Sequence, residues 1–176
     1  MKIAIIGTSR ITANHIQVLK NQKINIASIC STRKNSKKLK KLASKFKIKT
    51  IFKDWKKSIK YALRFKDCNF LITSRMQDNY KVLNECVKTN RYIFIEKPVF
   101  LKSNEFNKFM KYKKKIFIGY NRIFYKIARI LKNKLKNKST INVIVKCPES
   151  NRSEITKNSC HILSILFYLF GSFKIK

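Results

Sequence analysis

From residue 1 to about residue 119, apolar runs of strand length alternate with segments whose apolar residues recur at helical spacing. Few folds accept that alternation. Strands that are apolar on both sides need helices on both faces of their sheet, and a strand-helix-strand repeat lays successive strands parallel. The pattern predicts strands at Lys2 to Gly7, Ile24 to Ser31, Lys49 to Phe52, Asn69 to Thr73, Tyr92 to Glu96 and Ile116 to Gly119. Between them it predicts helices near Ile11 to Asn21, Lys37 to Phe46, Trp55 to Phe65, Asn79 to Thr89 and Glu105 to Tyr112. Leu39, Leu42, Ala43 and Phe46 form one inward face, Tyr80, Leu83, Cys86 and Val87 a second, and Phe106, Phe109 and Met110 a third. The expected architecture is α/β: a Rossmann-like doubly wound parallel sheet over residues 1–119.

The remainder, 120–176, reads differently. Arg122 to Leu135 has helical spacing with Phe124, Ile127, Leu131 and Leu135 to one side, Thr140 to Lys146 reads as a lone strand, and Asn158 to Phe170 as a helix apolar nearly all round. One strand cannot bury both of its faces, so an incomplete α/β second domain is expected. The chain shows no internal repeat and no Gly/Ser-rich or Pro-rich linker.

Lys and Arg number 42 against 8 Asp and Glu, a formal net charge of +34. Abundant Lys, Asn and Ile with few Gly and Pro is the composition of an AT-rich coding sequence, which would make the basicity a by-product. The scarcity of Glu is not explained that way, and attraction to a polyanion or a phosphorylated ligand stays open. No helix-turn-helix, zinc or RNP-like pattern accompanies the charge, which argues against nucleic acid as the partner. Cys30, Cys68, Cys86, Cys147 and Cys160 are odd in number and contain no C-x-x-C pair, so neither a disulfide framework nor a metal site is expected, and a reduced, cytoplasmic setting is. The apolar run in Met1 to Gly7 is too short for a signal peptide, and the longest, Ile162 to Phe170, is too short for a membrane span.

The turn after the first strand reads Gly7-Thr8-Ser9-Arg10-Ile11-Thr12. In a dinucleotide-binding domain this turn offers backbone N–H groups and a helix N-terminus to a pyrophosphate, with glycine at three positions. Here Ser9 and Thr12 occupy the second and third, so looser helix packing is expected at Thr12, while the hydroxyls of Thr8 and Ser9 and the charge of Arg10 suit phosphate. After the second strand stands Ser31-Thr32-Arg33-Lys34 where an acid would select the ribose 2′-OH. Two hydroxyls and two cations favour a 2′-phosphate instead, and a merely polar loop in a lysine-rich protein is the competing reading. Thr73 and Ser74 end the fourth strand, where the cleft of such a sheet opens.

Glu96-Lys97-Pro98 follows the fifth strand, Tyr120-Asn121-Arg122-Ile123-Phe124-Tyr125 follows the sixth, and Asn158-Ser159-Cys160-His161 opens the last helix. With His15 placed after the glycine turn, this ordered set resembles the Gfo/Idh/MocA oxidoreductases across essentially the whole chain. The resemblance implies a Rossmann half followed by an α/β half with an open antiparallel sheet, of which only the beginning is present, since a family member is commonly about twice as long. It implies an NAD(P)-dependent oxidoreductase acting on a sugar or nucleotide-sugar hydroxyl, with NADP slightly preferred over NAD. It assigns the proton transfer to Lys97 and His161, and lines the cofactor with Gly7, Thr8, Ser9, Arg10, Ile11, Ser31, Thr32, Arg33, Thr73, Ser74, Glu96 and Lys97.

Departures from the family pattern point toward impaired turnover. Beyond Ser9 and Thr12, Ser164 stands three positions after His161 and Lys157 four before it, where the family often has acids. A catalytically impaired nucleotide-binding remnant or subunit is therefore the alternative. Its second domain would be completed by a partner chain or a homo-oligomer, because the apolar helix at Ile162 to Phe170 would otherwise expose its surface.

Overall fold

The computed structural model describes residues 1–34, 36–100, 103–137, 141–146 and 159–171. It divides into two compact units, Met1–Ile118 and Gly119–Lys176.

The first unit is a six-stranded parallel sheet: β1 (Lys2–Ile6), β2 (Asn25–Cys30), β3 (Ile51–Phe52), β4 (Cys68–Ile72), β5 (Ile93–Ile95) and β6 (Ile116–Ile118) in the order β3-β2-β1-β4-β5-β6. Its helices are α1 (Thr12–Asn21), α2 (Lys37–Lys45), α3 (Trp55–Ala62), α4 (Met76–Cys86) and the short α5 (Ser103–Asn107). Strand order runs outward from β1 in both directions, so the chain reverses its direction of travel across the sheet beside β1. That is the doubly wound arrangement, whose crevice lies outside the carboxyl ends of the strands. Two helix starts are fixed by side chains: Ser36 accepts from Leu39 N at 3.3 Å and Asp54 from Lys56 N at 2.9 Å.

Side chains alternate across the strands and feed two cores. Ala4, Ile6, Phe70, Ile72, Ile93 and Ile95 pack with Ile59 and Ala62 of α3 and Val82, Leu83 and Cys86 of α4. Ile5, Ile29 and Leu71 point the other way and pack with Ile16 of α1 and Leu39 and Ala43 of α2. On this second side Phe94 and Phe117, one each from β5 and β6, remain 38% and 54% exposed. A polar pair, Ser28 and Ser58, is fully buried between β2 and α3 and hydrogen-bonds at 2.9 Å, which satisfies both hydroxyls.

The turn leaving β1 is pressed against the end of β4. Gly7 has φ +130°, and a Cβ there would lie 2.2 Å from the carbonyl carbon of Thr73 and 2.3 Å from the amide nitrogen of Ser74. Its N–H donates to Cys30 O at 2.9 Å, so the turn is held from both neighbouring strands.

Several elements differ from their sequence expectation. The fourth helix begins at Met76 rather than Asn79 and ends at Cys86, passing into a 3-10 turn over Val87–Thr89. The helix at 105–112 is broken: α5 stops at Asn107 and a 3-10 turn covers Met110–Tyr112, so the phase changes, Phe109 goes inward, and Phe106 and Met110 stay exposed. Thr12 is fully buried rather than loosely packed.

In the second unit a 3-10 turn, Asn121–Phe124, precedes α6 (Lys126–Leu135), and α7 (Cys160–Phe170) packs on both. Lys132 Nζ sits 4.3 Å from the ring centre of Tyr168, linking α6 to α7. The face expected to be buried is largely outside: Phe124, Ile127 and Leu131 are exposed and Leu135 half-buried, while Ala128 is the residue α6 buries. Phe124 falls in the 3-10 turn and so out of phase with the helix. The expected strand is not formed at 141–146, which has no regular structure and finds no partner strand among the described residues. Its first residue, Thr140, and the helix start at Asn158 lie outside the described residues, as do Cys147 and Lys157.

Replacing Gly7 by Ala should destabilise the first unit by about 2 to 4 kcal/mol, through strain at positive φ and a forced retreat of the Thr73–Ser74 backbone, measured as a lower urea midpoint. A second expectation comes from the buried thiols. Burial pushes Cys30 up from 9.0 to about 12 and raises Cys86 well above its ordinary value. In the unfolded chain both thiols ionise near 9.0, whereas the native ones stay protonated, so stability should fall as pH rises from about 9 to 12. In Cys30→Ala that decline should be shallower, measured by denaturation at fixed pH steps.

Candidate functional site

At the carboxyl edge of the sheet the turns after β1, β2, β4 and β5 come together. A chain of hydroxyls ties the first and third. Thr12, at the start of α1, donates to Thr73 Oγ1 at 2.8 Å in a buried bond. Since that uses the Thr12 proton, Ser9 Oγ, 3.4 Å from Thr12 Oγ1, is left to donate to it. Ser9 N–H also donates to Thr73 O at 3.3 Å. The Ser9 side chain is thus directed at the foot of α1, and Arg10 and Ile11 are exposed. Among the described residues no backbone carbonyl takes the N–H groups of Arg10 and Ile11, which leaves donors at the start of α1 for an anion.

Ser31 is buried. Its Oγ accepts from Arg33 N at 3.1 Å and lies 3.5 Å from Thr8 Oγ1, so it binds the first two turns together. Between them opens a cleft of about 370 Å³. Five cations line it: Arg33, Lys34, Lys37, Lys38 and Arg75. Thr8, Ser9, Ser31, Thr32, Ser36 and Ser74 supply hydroxyls, and among the described residues no carboxylate lines it. The first turn of α2 stands at its wall, adding the positive end of a helix. Such a donor set suits a ligand carrying phosphate.

A larger hollow of about 730 Å³ lies at the opposite, amino edge of the sheet, with Lys2, Lys20, Lys23, Lys47 and Lys49 on its walls. It is built where α1 and α2 end, and cations at helix C-termini are accounted for by the macrodipole. The smaller cleft, with its glycine turn and helix N-termini, is the better candidate for a site.

The loop after β5 is held from two sides. Glu96 Oε1 is 2.6 Å from His15 Nε2 of α1, with His15 stacked edge-on against Phe94 at 5.5 Å. Asn79 of α4, buried, donates from Nδ2 to Glu96 O at 3.3 Å and to Pro98 O at 3.0 Å, and accepts from Ser74 Oγ at 2.6 Å. One amide therefore fixes the turns after β4 and β5 together. Lys97, half-buried, lies between these anchors, joined to Pro98 by a cis peptide.

The sequence-predicted residues of the first unit gather here. Gly7 is the hinge of the first turn. Thr8, Ser9, Ser31, Thr32, Arg33 and Ser74 line the cleft. Thr73 is buried beneath it, and Glu96 is engaged by His15. His161 is the second residue of α7, in the second unit. Ser164, in the place of a family acid, donates to His161 O at 2.8 Å, a helix back-bond that does not orient the imidazole. Burial, with Cys160 beside it, raises the Tyr120 phenol in that unit.

Sequence reasoning missed Asn79, Asp78 and Arg75 as site residues. Asn79 had a visible signal: a polar residue sharing a helix face with Leu83 and Cys86 must find a buried partner. Asp78 and Arg75 had none. Among the described residues no three His, Cys, Asp or Glu groups converge as a metal site, and no helix is long and apolar enough to cross a membrane.

The probable dehydrogenase of Thermotoga maritima superposes with a TM-score of 0.77 at 21% identity, covering 98% of this chain and 56% of its own. Myo-inositol dehydrogenase of Lactobacillus casei, solved with NAD(H) and myo-inositol, gives 0.77 at 19% identity, covering 96% and 54%. The WlbA (WbpB) dehydrogenase of Thermus thermophilus, solved with NAD and UDP-GlcNAcA, gives 0.76 at 15% identity, covering 97% and 63%. The chain thus spans a little over half the length of these proteins. No curated protein matches it by sequence. The family model for the oxidoreductase family with an NAD-binding Rossmann fold, GFO_IDH_MocA, matches residues 1–116. Turn, strand order and matched sequence agree, and the chain belongs to the Gfo/Idh/MocA oxidoreductase family.

Proposed function

We propose that the chain is an NAD(P)-dependent oxidoreductase that moves hydride to or from a sugar or nucleotide-sugar hydroxyl. The observation that carries this reading is the carboxyl-edge cleft, where five cations, six hydroxyls and the starts of two helices meet with no lining carboxylate among the described residues. Its residues fit a dinucleotide: the glycine turn leaves no room for a Cβ, and the N–H groups of Arg10 and Ile11 are available to a pyrophosphate. Thr8 and Ser9 would flank that pyrophosphate, and Ser31, Thr32 and Arg33 the adenosine ribose. The cations support the phosphorylated cofactor, and the NAD bound by the relatives supports the unphosphorylated one.

When bound, the nicotinamide ring would accept or supply the hydride. The chain's own part is the proton, since a carbinol oxidised to a carbonyl must lose its hydroxyl proton to a base. Lys97 and His161 are assigned that role. Glu96 and Asn79 would serve Lys97 indirectly by fixing its loop, which matters because misplacement of a reacting group by about 1 Å can cost about a hundredfold in rate. A cytoplasmic setting is part of the same proposal and is supported by the buried free thiols of Cys30, Cys68 and Cys86.

A second reading, a nucleotide-binding subunit or remnant without turnover of its own, is favoured by the second unit. It has no strand among its described residues, and Phe124, Ile127 and Phe167 are exposed on its helices. A second copy or another chain would then complete it.

Titration of the purified chain with NADH and NADPH, followed by cofactor fluorescence, should give saturable micromolar binding. Arg33→Ala should weaken NADPH about three- to tenfold more than NADH. Absence of binding at millimolar cofactor would end the enzymatic reading. In a turnover assay against sugar alcohols, Lys97→Met and His161→Ala should lose at least about a hundredfold in kcat while cofactor affinity stays within about threefold. Cofactor binding without measurable turnover by the parent chain would favour the second reading.

A further inference from the structure

Two contacts beside the cleft bear on which form of the dinucleotide it takes. Thr32 Oγ1 donates to Asp78 Oδ2 at 2.6 Å. The same carboxylate oxygen takes Arg75 Nη2 at 3.2 Å. Asp78 is the third residue of α4, where the helix dipole favours a carboxylate, and it reaches from there to the end of β2. It does not itself line the cleft, whereas Thr32 and Arg75 do.

A threonine hydroxyl has one proton. With that proton given to Asp78, Thr32 offers the cleft lone pairs only. A ribose 2′-OH can donate into them. A 2′-phosphate brings acceptors to acceptors and gains nothing from Thr32. Asp78 also draws off part of the Arg75 charge, which would otherwise add to Arg33 and Lys34. The carboxylate absent from the β2 loop thus acts there from another element, through an intervening hydroxyl.

We infer that Asp78 is a positioning residue for cofactor choice: by holding the Thr32 proton and the Arg75 guanidinium, it keeps a strongly cationic cleft receptive to the unphosphorylated dinucleotide. This rests on the proposed cofactor reading.

The test is fluorescence titration of the full chain and its variants with NADH and with NADPH, comparing the two affinities. Asp78→Asn keeps the shape and removes the charge. Thr32 can then turn its proton to the cleft and Arg75 is released, and both changes favour phosphate. The NADPH-to-NADH affinity ratio should rise about tenfold, the scale of one hydrogen bond with a charged partner. Thr32→Val should lower NADH affinity several-fold with little change for NADPH, and should shrink the effect of Asp78→Asn in the double variant. A residue that only supports the fold would weaken both cofactors alike. An unchanged or reversed ratio, with both cofactors still binding, overturns the inference and leaves the cofactor reading intact. If neither cofactor binds the parent chain, that reading falls and this inference with it. Should Asp78→Asn fail to fold, Thr32→Val decides alone: selective loss of NADH supports the role, and equal loss of both refutes it.

Discussion

Everything at the carboxyl edge depends on how closely the turn after β1 approaches the end of β4. Gly7 has no side chain to spare there, because the backbone of Thr73 and Ser74 occupies the place of its Cβ. The approach is then locked by Thr12 donating to Thr73 and by Ser9 N–H donating to the Thr73 carbonyl. Only with those turns in register does Thr8 come within reach of Ser31, and only then does the cleft between β1 and β2 have walls. The third glycine position of the family pattern is filled by a threonine that is fully buried, and its hydroxyl is accommodated by a bond to the neighbouring strand rather than by looser packing.

The loop after β5 shows the same economy of fixing several turns with few groups. Asn79 bonds the Glu96 and Pro98 carbonyls and receives Ser74, while Glu96 is taken by His15 from α1. Lys97 is therefore presented from a segment anchored on α4 and α1. A lysine among so many would otherwise carry no positional information; its place between these anchors is what distinguishes it.

The fold was legible in the sequence because its signal is periodic and local. Strand runs such as Lys2–Ile6 and the Leu39, Ala43, Phe46 stripe of α2 each report their own burial within a dozen residues. Element ends were less so: nothing in the residues between Asn107 and Met110 announces the phase break that turns Phe106 and Met110 outward. At the site, residue types at turn positions could be read from the family resemblance, but not what their protons do. Thr32 and Asp78 lie 46 residues apart and His15 and Glu96 81 apart. The direction of a hydroxyl proton depends on such distant partners, so Thr32, read from sequence as a donor to phosphate, is already committed to Asp78. Among the eight acids of the chain, Asp54 caps α3, Asp67 holds the N-terminal ammonium, Asp78 sits behind the cleft, Glu85 pairs with Lys88, and Glu96 meets His15.

That scarcity of negative side chains gives the cationic cleft a second consequence. Arg33, Lys34, Lys37, Lys38 and Arg75 crowd one opening, and among the described residues only Arg75 is offset by a neighbouring carboxylate. Like charges held together raise the free energy of the native chain relative to an extended one in which they separate. An anion bound there would cancel that repulsion in the folded form alone, so occupancy would act as internal cement as well as recognition. A ligand held in this cleft would thereby become one of the forces that keep β2, α2 and α4 together.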